Sequence, residues 1–219
     1  MMRRFVDLLA AVLGLVLLSP LLLLIAASIS IDSAGSPLYG GWRIGKNGRP
    51  FRMWKFRTMV HGADRLGGIT APNDSRVTRL GAYLRRTKLD ELPQLLNLLS
   101  GELTLIGPRA EVPQFVARYT TQQYEVLSVK PGITGPGQIY YTTDQADSIP
   151  AGVAADDYYV EHLLGPKLRM DLDYLRRRTA LSDLQIMIET VAVLGRALLG
   201  RRAARSLVDS VRGDSLPSA

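Results

Sequence analysis

The longest apolar run in the chain lies near the N-terminus. From Leu8 to Ile31 there are 24 residues without a charged side chain, and nearly all of them are apolar. As an α-helix this run would measure about 36 Å, which exceeds the ~30 Å hydrocarbon core of a bilayer. It is also longer than the apolar region of ~7–15 residues in a secretory signal peptide. The pattern therefore predicts a helix that enters a membrane.

Basic residues lie on both sides of this run. Arg3 and Arg4 precede it, and residues 42–88 carry twelve Lys and Arg against two Asp, a net charge of +10. Positive charge on both flanks favours a cytoplasmic position for both ends. Ser19-Pro20 in the middle would bend the helix, which predicts a re-entrant, monotopic helix with a break there. A bitopic helix with a cytoplasmic domain is the alternative, because spanning helices also tolerate proline.

The rest of the pattern predicts one small α/β domain, mainly helical. Strands are predicted at Leu38–Ile44 and Phe51–Phe56, joined by an Asn-Gly turn typical of a hairpin. Leucines at helical spacing predict an amphipathic helix over Asp90–Leu99, and Leu103–Ile106 is predicted as a short buried strand. Other predicted helices lie at 78–86, 111–127, 156–163 and 167–178, with a core or membrane-surface helix at 181–199 and loops at 62–74, 130–138 and 144–155.

Three regions follow from this pattern. Residues 1–36 are predicted to form the re-entrant membrane helix. Residues 37–199 are predicted to form one domain with a short β-hairpin and amphipathic membrane-surface helices, and residues 200–219 a basic, flexible tail.

Composition excludes several kinds of site. The 219-residue chain has no cysteine and only two histidines, His61 and His162, which we expect to be structural or exposed. Disulfide scaffolds, thiolate zinc sites, iron–sulfur clusters and cysteine nucleophiles are therefore excluded. The net charge is +7, and 22 of the 27 cations are arginine, the better bidentate ligand for phosphate. The basic block points to an anionic partner, which is phosphate, nucleic acid or an acidic lipid surface.

Asp90-Glu91 is the first candidate for chemistry. Adjacent carboxylates at a helix start are favoured by capping and by the helix dipole, so a structural role is one interpretation. The other is an activated carboxylate nucleophile, as in aspartyl-phosphate chemistry. Pro93 has no amide to donate to a capping carboxylate, which would leave Asp90 available to a substrate.

Two basic motifs accompany the acidic pair. Arg109 follows a rigid Gly107-Pro108 turn after a predicted buried strand, which suits either a phosphate ligand or an ordinary surface turn. Lys55-Phe56-Arg57 alternates cation, aromatic and cation, which suits nucleic-acid binding or a solvated edge strand.

Taken together, these segments resemble the bacterial sugar transferases, the monotopic phosphoglycosyl transferases, in their minimal catalytic form. The resemblance covers about residues 1–199. The matching segments, in family order, are the apolar start with Ser19-Pro20, RIGKNGRPF (43–51), KFRTM (55–59), DSRVTRLGAYLRRTKLDELPQLLNLLSGELTLIGPR (74–109), KPGITG (130–135) and DYYVEH (157–162).

This resemblance implies a reaction. Family members transfer a sugar 1-phosphate from a nucleoside-diphosphate sugar, usually a UDP-sugar, to polyprenol (undecaprenyl) phosphate through a covalent phosphosugar-aspartyl intermediate. By resemblance Asp90 is the nucleophile, and Glu91 serves in Mg²⁺ coordination and in handling the acceptor phosphate. The positions that match cations around the substrate phosphates are Arg85, Arg109, Lys55 and Arg57.

The resemblance also implies a location and partners. We expect a monotopic protein of the bacterial inner membrane, with its catalytic domain on the cytoplasmic face and with membrane lipid but no nucleic acid as a partner; a homodimer stays open. Two departures concern local loops: Ala110 stands where many relatives have proline, and Pro136-Gly137 stands where many have Trp-Ala. The competing hypothesis is a non-catalytic, membrane-anchored basic module that binds acidic lipid or nucleic acid.

Overall fold

The computed structural model describes residues 2–60, 62–63, 74–140 and 153–199. The interpretation of His61, most of the predicted loops at 62–74 and 144–155, and the predicted tail at 200–219 lie outside the described residues.

The N-terminal apolar run forms one helix, α1 (Met2–Asp32). Within the described part of the chain, it is the one helix long and apolar enough to cross a membrane. It continues through Pro20, although proline cannot donate to the carbonyl four residues back, that of Val16. The Ser19 hydroxyl donates to this carbonyl at 2.8 Å, which satisfies the freed acceptor. The structure thus has a single helix where the sequence predicts a break at Ser19-Pro20, and the re-entrant path stays a prediction.

The N-terminal end of α1 is attached to the rest of the molecule by polar contacts. The guanidinium of Arg4 donates to the carbonyl oxygens of Leu98 and Leu99 at 2.6 and 2.7 Å. The buried carboxylate of Asp7 accepts from the Thr104 hydroxyl at 2.9 Å. A charged group this close to an apolar run is tolerated because hydrogen bonds satisfy it.

The C-terminal end of α1 packs on the same domain. Ile25 and Ile29 are buried against Phe56 and Leu84. The helix ends at Asp32, and the first strand begins at Leu38. The boundary that we place after residue 36 lies between them, and the division into three regions stays a prediction.

The predicted hairpin is confirmed. Strands β1 (Leu38–Ile44) and β2 (Pro50–Phe56) pair antiparallel. Asn47 and Gly48 in the turn have φ of 57° and 74°, the left-handed region that asparagine and glycine adopt most readily.

Two short helices flank the acidic pair. Helix α2 (Arg79–Thr87) begins where the Thr78 hydroxyl accepts from the Gly81 amide at 2.9 Å. Asp90 and Glu91 lie in a separate 3₁₀ turn, Leu89–Glu91, and helix α3 spans Gln94–Ser100. The predicted helix over Asp90–Leu99 therefore begins four residues late. The reason is Pro93, which has no amide to continue an α-helical ladder and suits a helix start.

A second sheet lies behind these helices. Strand β3 (Thr104–Ile106) pairs parallel with β4 (Gly132–Thr134). Helix α4 (Pro113–Val116) precedes β4, and α5 (Pro136–Tyr140) follows it. The prediction of a loop over 130–138 is therefore wrong, because pairing with β3 orders a segment too rich in glycine and proline to show strand periodicity.

The C-terminal part of the described chain is helical. Helix α6 (Ala155–Tyr158), a π-helical segment (Tyr159–Leu164) and α7 (Gly165–Arg177) follow one another directly, and α8 spans Ala180–Leu199. The structure confirms a mainly helical α/β fold with a small hairpin and an N-terminal apolar helix. The largest buried cluster comprises Phe115, Val116, Tyr119, Val126, Tyr159, Leu163, Leu164, Leu168 and Leu172.

Substitution of Gly81 tests how tightly α2 packs against the backbone of Thr58. A Cβ at this position would lie 2.1 Å from the backbone carbonyl oxygen of Thr58, whereas one at Gly195 in α8 meets nothing within 4 Å. We expect Gly81→Ala to lower the free energy of unfolding by about 1–3 kcal/mol, as overpacking does. Gly195→Ala should raise it by about 0.5–1 kcal/mol through helix propensity. Thermal unfolding in detergent measures both, and equal effects would contradict the packing.

Candidate active site

The acidic pair sits in a sharp turn between two helices. Lys88 ends α2 with a left-handed backbone, φ 60° and ψ 12°, and its carbonyl accepts from the Glu91 amide at 3.2 Å. The Asp90 side chain is 6% exposed. The turn therefore holds Asp90 and Glu91 at the point where α2, α3 and the hairpin meet.

Glu91 joins three elements through two cations. Its Oε1 accepts from Lys55 Nζ at 2.7 Å and lies 3.5 Å from Arg109 Nη2. Lys55 comes from the end of β2, and Arg109 comes from the turn after β3. Burial alone would raise the pKa of Glu91, but Lys55 and Arg109 outweigh it and hold that pKa well below its ordinary value. Glu91 is therefore ionised and neutralises cations from two other elements.

Asp90 has a different environment from its neighbour. Burial raises its pKa, the charge of Glu91 raises it further, and Lys55 opposes both. Over the part of the chain that the structure describes, no hydrogen bond or ion pair is recorded for the Asp90 carboxylate. Its lone pairs are therefore available, as the missing amide of Pro93 predicts.

Arg85 is a further cation that acts on Asp90. It lies in the last turn of α2, and its Nε donates to the Thr58 hydroxyl at 2.7 Å. Burial lowers its pKa, and the charge of Asp90 opposes this. Three predicted cations thus lie around the acidic pair: Lys55 and Arg85 act on Asp90, and Lys55 and Arg109 contact Glu91.

Arg57, Ser19 and Pro20 lie elsewhere. The guanidinium of Arg57 donates to the carbonyl oxygens of Ser33 and Ala34 at 2.6 and 2.8 Å, so it holds the C-terminal end of α1. Ser19 and Pro20 lie in the middle of α1. His162 is exposed and stacks on Tyr158, in keeping with the expectation that it is structural or exposed.

The structure also has a buried polar cluster near Arg109 that the sequence analysis does not predict. The Glu111 carboxylate forms an ion pair with Lys167 and accepts from the Tyr159 hydroxyl at 2.7 Å. Lys167 also donates to that hydroxyl, at 2.6 Å. Burial lowers the pKa of Arg109, but Glu91 and Glu111 raise it overall. Arg109 therefore lies in the field of carboxylates on two sides. Tyr159 belongs to the DYYVEH motif, which is the one sequence signal for this cluster.

Asp171 fixes the backbone next to Arg109. Its wholly buried carboxylate accepts from the Gly137 amide at 3.0 Å and from the Arg109 amide. A Cβ at Gly137 would lie 2.7 Å from the Lys167 carbonyl oxygen, so a small residue is needed for α5 to approach α7. The departure at Pro136-Gly137 thus lies in a packed helix, and Ala110 is buried against the hairpin.

Comparison with known proteins identifies the family of this chain. A family model described as bacterial sugar transferase matches residues 1–197. The chain belongs to the bacterial sugar transferase family. It is 35% identical over 200 residues to the UDP-glucose:undecaprenyl-phosphate glucose-1-phosphate transferase of Escherichia coli strain K12, which covers 87% of this chain and 39% of that relative.

Two further relatives carry related names. The exopolysaccharide production protein ExoY of Rhizobium meliloti strain 1021 is 39% identical over 178 residues, covering 74% of this chain and 78% of ExoY. The UDP-N-acetylgalactosamine-undecaprenyl-phosphate N-acetylgalactosaminephosphotransferase of Aeromonas hydrophila is 38% identical over 167 residues, covering 73% of this chain and 39% of that relative. The chain thus spans 39% of the two longer relatives.

Asp171 gives this family member a pH-dependent stability that can be measured. Burial raises its pKa to about 7, against 3.8 for an ordinary aspartate. The folded state then holds a proton that the unfolded state has lost, so this group's contribution to stability falls as the pH rises from about 4 to about 7. We therefore expect Asp171→Asn to gain stability relative to the wild type as the pH rises over this range. The difference in the free energy of unfolding should change by up to about 4 kcal/mol, and melting temperatures of both proteins measured across the range would show it. Asp173→Asn, exposed on the same helix, is the control. A difference that does not change with pH would contradict the burial of this charge.

Proposed function

We propose that this bacterial sugar transferase transfers a sugar 1-phosphate from a UDP-sugar to undecaprenyl phosphate. The names of the relatives support this substrate pair. The observation that carries the proposal is the contrast within the acidic pair: Glu91 is neutralised by Lys55 and Arg109, while Asp90 keeps an unengaged carboxylate in the field of Lys55 and Arg85.

In this proposal Asp90 is the nucleophile of a two-step exchange. A carboxylate oxygen of Asp90 attacks the phosphorus next to the sugar, the bond from that phosphorus to the bridging oxygen breaks, and UMP leaves with the electron pair. An oxygen of undecaprenyl phosphate then attacks the phosphosugar on Asp90. The phosphorus–carboxylate bond breaks, and Asp90 returns as a carboxylate. Splitting one transfer into two displacements is the general advantage of a covalent intermediate.

The charges around Asp90 suit this reaction. A carboxylate and two phosphorylated substrates repel one another, so the site needs fixed positive charge before the substrates arrive. Lys55 and Arg109 are held in place by Glu91, and Arg85 is held by Thr58. Because these groups are already oriented, they need little reorganisation as charge moves from Asp90 to UMP.

A magnesium ion fits this donor set if it binds together with the diphosphate. Over the described residues there is no group of three or more His, Cys, Asp or Glu side chains that would hold a metal. Mg²⁺ is commonly held by one or two carboxylates together with substrate phosphates. The free carboxylate of Asp90 and the second oxygen of Glu91 are the groups that would hold it. Such an ion would supply charge neutralisation at the diphosphate.

The attachment of α1 supports a monotopic position, and the basic residues on both sides of the apolar run favour the cytoplasmic face. The helix is 31 residues long, about 46 Å at 1.5 Å per residue. Arg4 and Asp7 bind the domain at one end, and Arg57 of the domain binds the other end. A helix that crossed a bilayer would have its ends on opposite sides, whereas here both ends bind one polar domain.

Helix α8 presents a second apolar surface. Its exposed side chains recur at helical spacing and suit a helix lying in the membrane interface. They are Leu181, Leu184, Ile188, Val191 and Leu194.

The catalytic proposal is tested by Asp90→Asn. We expect UMP release from a panel of UDP-sugars, with undecaprenyl phosphate and Mg²⁺ in detergent, to fall by at least about 10³-fold, because an amide is not a nucleophile. Asp173→Asn, an exposed carboxylate outside the site, should keep wild-type activity. Without acceptor, the wild type should gain the mass of one phosphosugar, and Asp90→Asn should not. A basic module that only binds anions would release no UMP and would bind equally well with either residue.

The topology is tested with single cysteines, since the chain has none of its own. We expect Met2→Cys and Ser36→Cys, at the two ends of α1, to react with a membrane-impermeant maleimide in inverted inner-membrane vesicles and not in intact spheroplasts. Asp173→Cys marks the side of the domain. Labelling of Met2→Cys from the opposite side to Ser36→Cys would establish a bitopic helix.

A further inference from the structure

Lys88 is a cation two residues before Asp90, and neither the sequence analysis nor the family assignment gives it a role. We infer that the Lys88 ammonium binds the diphosphate of the donor sugar nucleotide, as a further substrate-binding residue of the active site. This inference rests on the proposed function.

The backbone of Lys88 is the first observation. With φ at 60°, it is one of two non-glycine residues with positive φ in the described chain, and the other is Asn47 in the hairpin turn. This conformation brings the Cβ of an ordinary residue close to its own carbonyl, so glycine and asparagine are the residues that adopt it readily. A lysine at such a position is unfavourable for the backbone alone, which points to a role for its side chain.

Two hydrogen bonds of the turn fix the backbone of residue 88. The Lys88 amide donates to the Arg85 carbonyl at 3.2 Å, and the Lys88 carbonyl accepts from the Glu91 amide at 3.2 Å. These bonds end α2 and begin the 3₁₀ turn that carries the acidic pair. The side chain of residue 88 therefore starts two residues before Asp90.

The electrostatics give the second, independent observation. Five cations act on the acidic pair, and four of them have hydrogen-bond or ion-pair partners: Lys55 and Arg109 on Glu91, Arg85 on the Thr58 hydroxyl, and Arg43 on the Trp42 carbonyl oxygen. Lys88 is half-buried, and its ammonium forms no hydrogen bond or ion pair with any of the described residues. The charge of Lys88 nevertheless lowers the pKa of both Asp90 and Glu91.

The charge balance favours a phosphate as the partner of this ammonium. With Asp90 and Glu91 ionised, the five cations leave the site with an excess of positive charge, which an anionic substrate would neutralise. A nucleoside diphosphate linked to a sugar carries about two negative charges on its diphosphate. Lysine is a compact point charge on a flexible stem, which suits a phosphate that must enter and then leave as UMP.

A purely structural role is the competing explanation. A cation at the C-terminal end of α2 would interact favourably with the helix dipole. That role predicts an effect on stability and none on nucleotide binding, so the two explanations separate in one set of variants.

The experiment uses three substitutions of Lys88 in the full chain. Lys88→Asn and Lys88→Gly remove the charge with residues that tolerate the left-handed backbone, and Lys88→Arg keeps the charge. Arg86→Gln, one residue past Arg85 on α2 and stacked over Tyr83, is the matched control for losing a nearby cation. The probe is UDP in the presence of Mg²⁺, with its Kd measured by calorimetry in detergent, and turnover is measured with whichever UDP-sugar the wild type uses.

We expect both neutral variants to weaken UDP binding about tenfold and to lower kcat/KM for the donor at least as much, with Lys88→Arg and Arg86→Gln within about threefold of the wild type. A UDP Kd within twofold of the wild type in Lys88→Asn and Lys88→Gly would overturn the inference. Weak binding by Lys88→Gly alone would indicate a backbone effect and would also overturn it.

The two proposals fail differently. If the wild type releases UMP and the neutral variants bind UDP normally, the transfer reaction stands and the role of Lys88 falls. If the wild type binds UDP through Lys88 but no UDP-sugar yields UMP, the substrate-binding role stands and the transfer reaction falls. Absence of UDP binding by the wild type would overturn the role of Lys88 directly.

Discussion

The ion cluster of Glu91 with Lys55 and Arg109 is the interaction on which the rest of the site depends. It joins the end of the hairpin, the turn after β3 and the acidic turn between α2 and α3. Removing one partner from such a largely buried cluster leaves a charge without compensation, at a typical cost of about 3–5 kcal/mol. The cluster also explains why two adjacent carboxylates differ: Glu91 saturates the two cations, and Asp90 keeps its lone pairs.

A second layer supports the first. Lys167 and Glu111 are buried together with the Tyr159 hydroxyl, and Asp171 holds the amides of Gly137 and Arg109. Buried polar groups of this kind are stable only when each finds a partner, which restricts the backbone around them to few arrangements. The backbone of Arg109, whose guanidinium lies 3.5 Å from Glu91, is thus held by helix α7, more than fifty residues further along the chain.

Contacts between distant segments also attach α1 to the domain. The helix buries Ile25 and Ile29 on the domain. Arg4, Asp7 and Arg57 form hydrogen bonds at its two ends. The Ser19 hydroxyl bonds the carbonyl that Pro20 leaves free. The helix therefore stays continuous through Pro20.

The sequence by itself determined the elements with strong local signals: the apolar run of α1, the hairpin around Asn47-Gly48, and an acidic pair followed by a proline that frees Asp90. These depend on periodicity and on backbone chemistry within a few residues. Only the tertiary structure decided that β4 forms from a glycine-rich segment, that Arg57 binds the end of α1, and that Glu111 and Asp171 orient Arg109. Each of these depends on a partner distant in the chain, and the free energy of such a contact is not encoded in the composition of either segment alone.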